Sequence, residues 1–131
     1  MMPSLNAQQI AQDFIALAQC AADVLNSPAN LTPQQANDLN DANTQLTMFA
    51  VATAIDTAMQ ALSAAQSDLN AISSATSTAN AKANALKNNV TQLNKVLSII
   101  GAAVTLAATI STGGTLGAVL TAAGALNTAA S

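Results

Sequence analysis

A chain of 131 residues, 51% apolar and 7% charged, fits one domain and is too apolar for disorder. A net charge of −3 with three lysines and no arginine excludes a basic face for nucleic acid. His, Glu, Trp and Tyr are absent, so six aspartates and one cysteine are the main chemically active side chains.

The apolar share is mostly Ala with some Leu, Ile and Val, and Ala is the best helix former. The expectation is an all-α fold of three to four helices, over 6–26, 33–72, 79–110 and 115–129, in a single helical domain 1–131. The middle two helices are allowed to be one.

In chain order, Asn6 with Gln9 three residues on reads as a capping box. Ile10, Phe14, Leu17, Ala21 and Val24 then recur at spacings of 4, 3, 4 and 3, which draws one apolar stripe along a helix. Pro28 stops that helix, and Asn26–Asn30 reads as a turn. Thr32-Pro33-Gln34-Gln35 is the clearest start signal: a Thr cap, Pro at the first helical position and Gln at the third. Leu39, Ala42, Leu46 and Phe49 form the first stripe of the helix that follows.

From Met48 the stripe becomes a heptad: Met48, Val51, Ile55, Ala58, Leu62, Ala65, Leu69, Ile72, Thr76, Ala79, Ala83, Leu86, Val90, Leu93, Leu97 and Ile100. Its unbroken phase from Met48 to Ile100 predicts a coiled coil or a long packed helix, and the heptad helix or hairpin is expected over 33–100. The packing is expected from Ile55, Leu62, Leu69, Ile72, Leu86, Val90 and Leu93. Ser73–Thr78 is weakly helical, because Ser and Thr side chains compete for backbone hydrogen bonds. Two forms stay open: a helix from 33 to about 110, roughly 115 Å long, or a hairpin bent at 73–78.

The tail, 96–129, is uncharged and apolar, and it carries all five glycines from Gly101 onward. Ser111-Thr112-Gly113-Gly114 splits it into two apolar runs, the outline of a hairpin. Its expected contact residues for a membrane or for further copies are Val96, Leu97, Ile99, Ile100, Val104, Leu106, Ile110, Gly113, Gly114, Leu116, Gly117, Val119, Leu120 and Leu126. Gly113 and Gly117 are spaced as a G-x-x-x-G pair, a helix-packing signal in lipid. The alternative for the tail is ordinary core, one or two helices completing the bundle.

Little speaks for catalysis. Asp13, Asp23, Asp38, Asp41, Asp56 and Asp68 sit off the apolar stripes and read as solvated. Asp38 and Asp41 are three residues apart and read as helix-start electrostatics rather than as a shared site. Cys20 reads as a small buried core residue. There is no metal-ligand spacing, no phosphate loop and no expected cofactor or small-molecule substrate.

A long heptad helix leading into an uncharged, Gly-punctuated hairpin is similar to the head of the α-helical pore-forming toxins of the cytolysin A and haemolysin BL type. The similarity covers Val96–Leu126, about a quarter of the chain, and is one of texture without a specific motif. Those chains are longer and return down a further long helix, whereas Asn127–Ser131 alone follow here. The resemblance implies membrane activity and does not assign the family.

The expected function is therefore non-enzymatic: a protein that self-associates, inserts its C-terminal segment into a membrane, or both, as a membrane-active or pore-forming component. The alternative is a structural subunit of a helical filament or extracellular assembly without lipid contact. A third reading is a small soluble binding module whose tail is its core. Expected partners are further copies of the chain and a lipid membrane, with no nucleic acid. The expected location is secreted or cell-surface, by a route without a signal peptide, or membrane-associated.

Overall fold

The computed structural model describes residues 4–27 and 30–131. Among these, the chain forms six α-helices: α1 Leu5–Leu25, α2 Pro33–Phe49, α3 Ala52–Ala61, α4 Gln66–Leu86, α5 Leu93–Ser111 and α6 Leu116–Ala130. A 3-10 turn, Val90–Gln92, leads into α5. The fold is all-helical as expected, but with more and shorter helices than the three or four that periodicity suggested.

α1 is the central element and packs on α2 and α4, with lighter contact to α3. Its stripe is Ile10, Phe14, Leu17, Ala21 and Val24, each at most 1% exposed. Fully burying such side chains stabilises by about 2 kcal/mol each. Ser4, rather than Asn6, caps α1, its hydroxyl accepting from the Ala7 N–H at 3.1 Å. Asn6 lies inside the first turn, and its amide reaches Asn70 on α4. Asn26 closes the helix; Pro28 and Ala29 of the predicted turn lie outside the described residues. The Thr32 box forms as read, with Gln35 N–H on the Thr32 hydroxyl and Thr32 N–H on the Gln35 side chain.

The long heptad helix does not form. It breaks first at Ala50–Val51, where Val51 is extended at φ −115° and ψ 107°. This redirects the chain so that Ile55 and Met59 enter the core, while Met48 and Val51 stay outside at 59% and 47% exposure. A β-branched residue adopts the extended conformation readily, so the break needs neither Gly nor Pro.

The second break is at 62–65. Ser63 takes a left-handed conformation, φ 56°. Its N–H bonds to the Gln60 carbonyl and that of Ala64 to the Met59 carbonyl, a Schellman ending with Ser in the usual Gly position. Asp68 then accepts from the Ala65 N–H at 3.1 Å and opens α4.

Residues 73–78 do not bend; they lie inside α4. Two of their hydroxyls have a tertiary partner. Thr76 donates to Asp13 at 2.7 Å and Ser77 to Asp13 at 2.9 Å, so they do not pull the backbone out of the helix.

α5 packs on α6, α2 and α4, and α6 on α5 and α4. The buried residues of all six helices join one hydrophobic cluster. The accessible surface is 6457 Å², close to the ~6,300 Å² expected for a folded monomer of this mass. The chain thus buries about as much of its surface as an ordinary monomer of its mass does. The physical reason the rod loses is that a lone stripe must be buried, and four shorter segments can wrap around α1 where one long one cannot.

Candidate functional site

The tail folds as α5 and α6, joined by a second Schellman ending. Gly113 is left-handed at φ 75°, and the Gly114 N–H returns to the Thr109 carbonyl at 3.0 Å. A Cβ on Gly114 would lie 2.8 Å from the Thr109 side chain, so the approach requires glycine. Thr115 caps α6, accepting from the Ala118 N–H at 3.1 Å. At the far end the Lys95 ammonium donates to the carbonyl oxygen of Ser131, tying the start of α5 to the end of α6.

The expected contact residues divide in two. Val96, Ile99, Ile100, Leu106, Ile110, Val119 and Leu126 are buried inside the same copy. Leu97, Val104, Leu116, Leu120 and Gly114 are half-buried, and Gly113 and Gly117 are exposed. Gly113 lies in the turn and Gly117 in α6, so the G-x-x-x-G pair does not share one helix. Of the packing stripe, Ile55 and Ile72 are buried, Leu62, Leu69, Leu86 and Leu93 are half-buried, and Val90 lies in the 3-10 turn.

What the sequence did not single out is the outer face of this pair. On α5 it is Asn94, Ser98, Gly101 and Thr105, with Thr112 just past its end; on α6 it is Gly117, Thr121, Gly124 and Thr128. All are small or uncharged. The hydroxyls of Thr105, Thr109, Thr112 and Thr121 each donate to the carbonyl four residues back, at 2.7 to 3.1 Å. Among the described residues α5 is the one helix long and apolar enough to cross a bilayer, and 39% of its apolar window is buried. Met48 and Val51 line a shallow concavity with Ile110 and Ser111, beside the α5–α6 turn. That end of the molecule is therefore apolar and open.

The charged residues sit elsewhere. Asp13 is not on a solvated face: it is 2% exposed. Its carboxylate accepts from Gln9 at 3.0 Å, Thr76 at 2.7 Å, Ser77 at 2.9 Å and Asn80 at 3.4 Å. Four neutral donors replace water around a charge that has no cation partner among the described residues, which locks the register of α1 on α4. The signal for it was in the sequence: Thr76, at a core position, is a buried hydroxyl that needs an acceptor.

Lys87 pairs with Asp23 at 2.7 Å. Its donated hydrogen bond holds the Asp23 carboxyl below its usual range, and the same bond raises Lys87. Cys20 is buried as expected, and burial pushes its thiol up to about 11. Asp38 accepts from Gln34 at 2.8 Å and Asp56 from the Ser4 N–H at 3.2 Å. Among the described residues no group of His, Cys, Asp and Glu is placed to hold a metal ion.

No protein-family model, characterised protein or solved structure matches this chain.

Proposed function

We propose that the protein is a non-enzymatic helical bundle that acts through α5 and α6, which leave the bundle, insert into a lipid membrane and associate there with further copies. The observation that carries this reading is the two-sidedness of α5. Its inner face is Val96, Ile99, Ile100, Ala103, Leu106, Ala107 and Ile110, all buried, and its outer face is small and uncharged.

Turned inside out, such a helix offers its apolar face to lipid and its small face to a neighbouring helix. Its 19 residues span ~28 Å, against a hydrocarbon core of ~30 Å. Side chains leaving the core would enter hydrocarbon rather than water, so the hydrophobic stabilisation is largely retained. The back-bonded threonine hydroxyls reduce the cost of desolvation. A membrane-associated location follows from this reading.

The test is flotation of the full chain with anionic liposomes, detected without 280 nm absorbance. Thr105→Lys runs beside it: Thr105 is exposed in the bundle, so the variant folds, but a lysine at the centre of a spanning helix costs ~3 kcal/mol. The native chain should float and the variant should stay below. A native chain that ignores lipid sinks the membrane reading.

A second reading, a structural subunit of a helical assembly without lipid, is favoured by one feature. The groove between α4 and α6 is lined by Ala71, Ser74, Ala75, Ala123 and Gly124 and admits a close helix. Sedimentation as a polymer in lipid-free buffer would select it.

A further inference from the structure

A surface groove lies between α2 and α5, with a volume of about 340 Å³. Its two walls differ in kind. The α5 wall is apolar, with Leu97, Ile100 and Val104 around Gly101, while Asp38 and Asp41 stand on the α2 wall. Neither carboxylate has a cation partner among the described residues: the one salt bridge is Lys87–Asp23, and Lys95 is engaged at Ser131.

Gly101 adds an independent observation. Glycine is unfavourable inside a helix, and here no close packing demands it, since a Cβ at this position would meet nothing within 4 Å. Its effect is to leave open space on the α5 wall of the groove. The volume falls in the range of small-molecule sites, which pair apolar walls with a few placed polar groups.

We propose that this groove binds a small amphiphilic cation, an ammonium group carrying an alkyl body. The alkyl body lies along Leu97, Ile100 and Val104 over Gly101, and the ammonium faces Asp38 and Asp41. Charge complementarity selects this occupant: an anionic amphiphile meets two carboxylates, and a neutral one leaves them unused. A ligand held there bridges α2 and α5 and stabilises the bundle by mass action. The inference stands apart from the membrane reading, because it concerns the soluble bundle alone.

The test is an amide NMR titration of the full-length ¹⁵N-labelled chain with octylammonium, octanoate and octanol. Octylammonium should give saturable shifts confined to residues 38–45 and 97–104, with octanoate and octanol about tenfold weaker. The double variant Asp38→Asn, Asp41→Asn changes two exposed side chains and should weaken octylammonium about fivefold to tenfold. Gly101→Leu should fill the groove and abolish the shifts at unchanged helix content. Should that variant fail to fold, the double Asn variant decides alone.

Equal binding of octanol and octylammonium overturns the cationic ligand. Absence of saturable shifts overturns the site. Shifts at these amides that follow protein concentration without ligand would mean that a second copy fills the groove, which also overturns it.

Discussion

Asp13→Ala is the perturbation that tests the fold most sharply. The substitution removes the acceptor for four donors, at Gln9, Thr76, Ser77 and Asn80. Thr76 keeps a second acceptor, the Ser73 carbonyl at 3.0 Å, so its hydroxyl is not orphaned. Gln9 is exposed and returns to water, whereas Ser77 and Asn80 are half-buried and lose most.

Hydrogen bonds to a charged group contribute ~1.5–3 kcal/mol each, and part of that is recovered by removing a buried charge. The expected net loss is about 3 kcal/mol, out of a total of about 7–20 kcal/mol for a chain of this length. At this length that lowers Tm by ~10 °C.

Asp13→Asn should cost only ~1 kcal/mol, because the Gln9 and Asn80 amides can flip to present oxygen to the new NH₂. Urea unfolding followed by circular dichroism at 222 nm measures both, since the chain has no Trp. A loss below ~1 kcal/mol for the Ala variant, or an Asn variant worse than Ala, would refute the four-donor account.

Other expectations follow from particular residues. Ser74 is exposed in the interior of α4, so Ser74→Pro should cost ~3 kcal/mol or more; a neutral effect would restore a bend at 73–78. The left-handed Gly113 makes Gly113→Ala destabilising by ~1 kcal/mol. Gly124, with open space around its Cβ position, makes Gly124→Ala stabilising by up to ~1 kcal/mol in the same assay.

Cys20, buried and with its thiol raised to about 11, should react with a thiol reagent at pH 8 only as fast as the chain opens. A rate as fast as that of the unfolded chain under the same conditions would contradict that burial.

Asp23 has a lowered pKa when folded, so its share of stability is present above its ordinary value near 3.8 and is lost as pH falls through the folded value. Lys87 is raised, so its share is present below 10.5 and is lost as pH rises through its folded value. Both side chains are partly exposed. Lys87→Met should therefore lower Tm by only ~1–3 °C at pH 7, and by less as pH falls through the folded Asp23 value.

The sequence by itself determined the helical class, the α1 stripe, the Thr32 cap and the turn at Gly113-Gly114, because each rests on local chemistry. A Pro, a Gly or a 3–4 spacing acts within a few residues and needs no partner. The contrast between the two Schellman endings shows the limit. At 112–115 glycine announces the left-handed residue, while at 62–65 Ser63 takes the same conformation unannounced. Tertiary packing offsets the ~1 kcal/mol that a side chain costs there.

The same holds for the heptad. Its spacing says only that a stripe must be buried, and Met48, Val51 and Ala65 of that stripe are exposed. The tertiary structure decided where: around α1, within one copy, with breaks at Val51, at Ser63 and at 87–92. It also decided which side of α5 faces out, and that Asp13, polar in sequence, is interior. An uncharged helix gives no local clue to its exposed face; only the burial of Ile99, Leu106 and Ile110 against their neighbours leaves Ser98, Gly101 and Thr105 to the solvent.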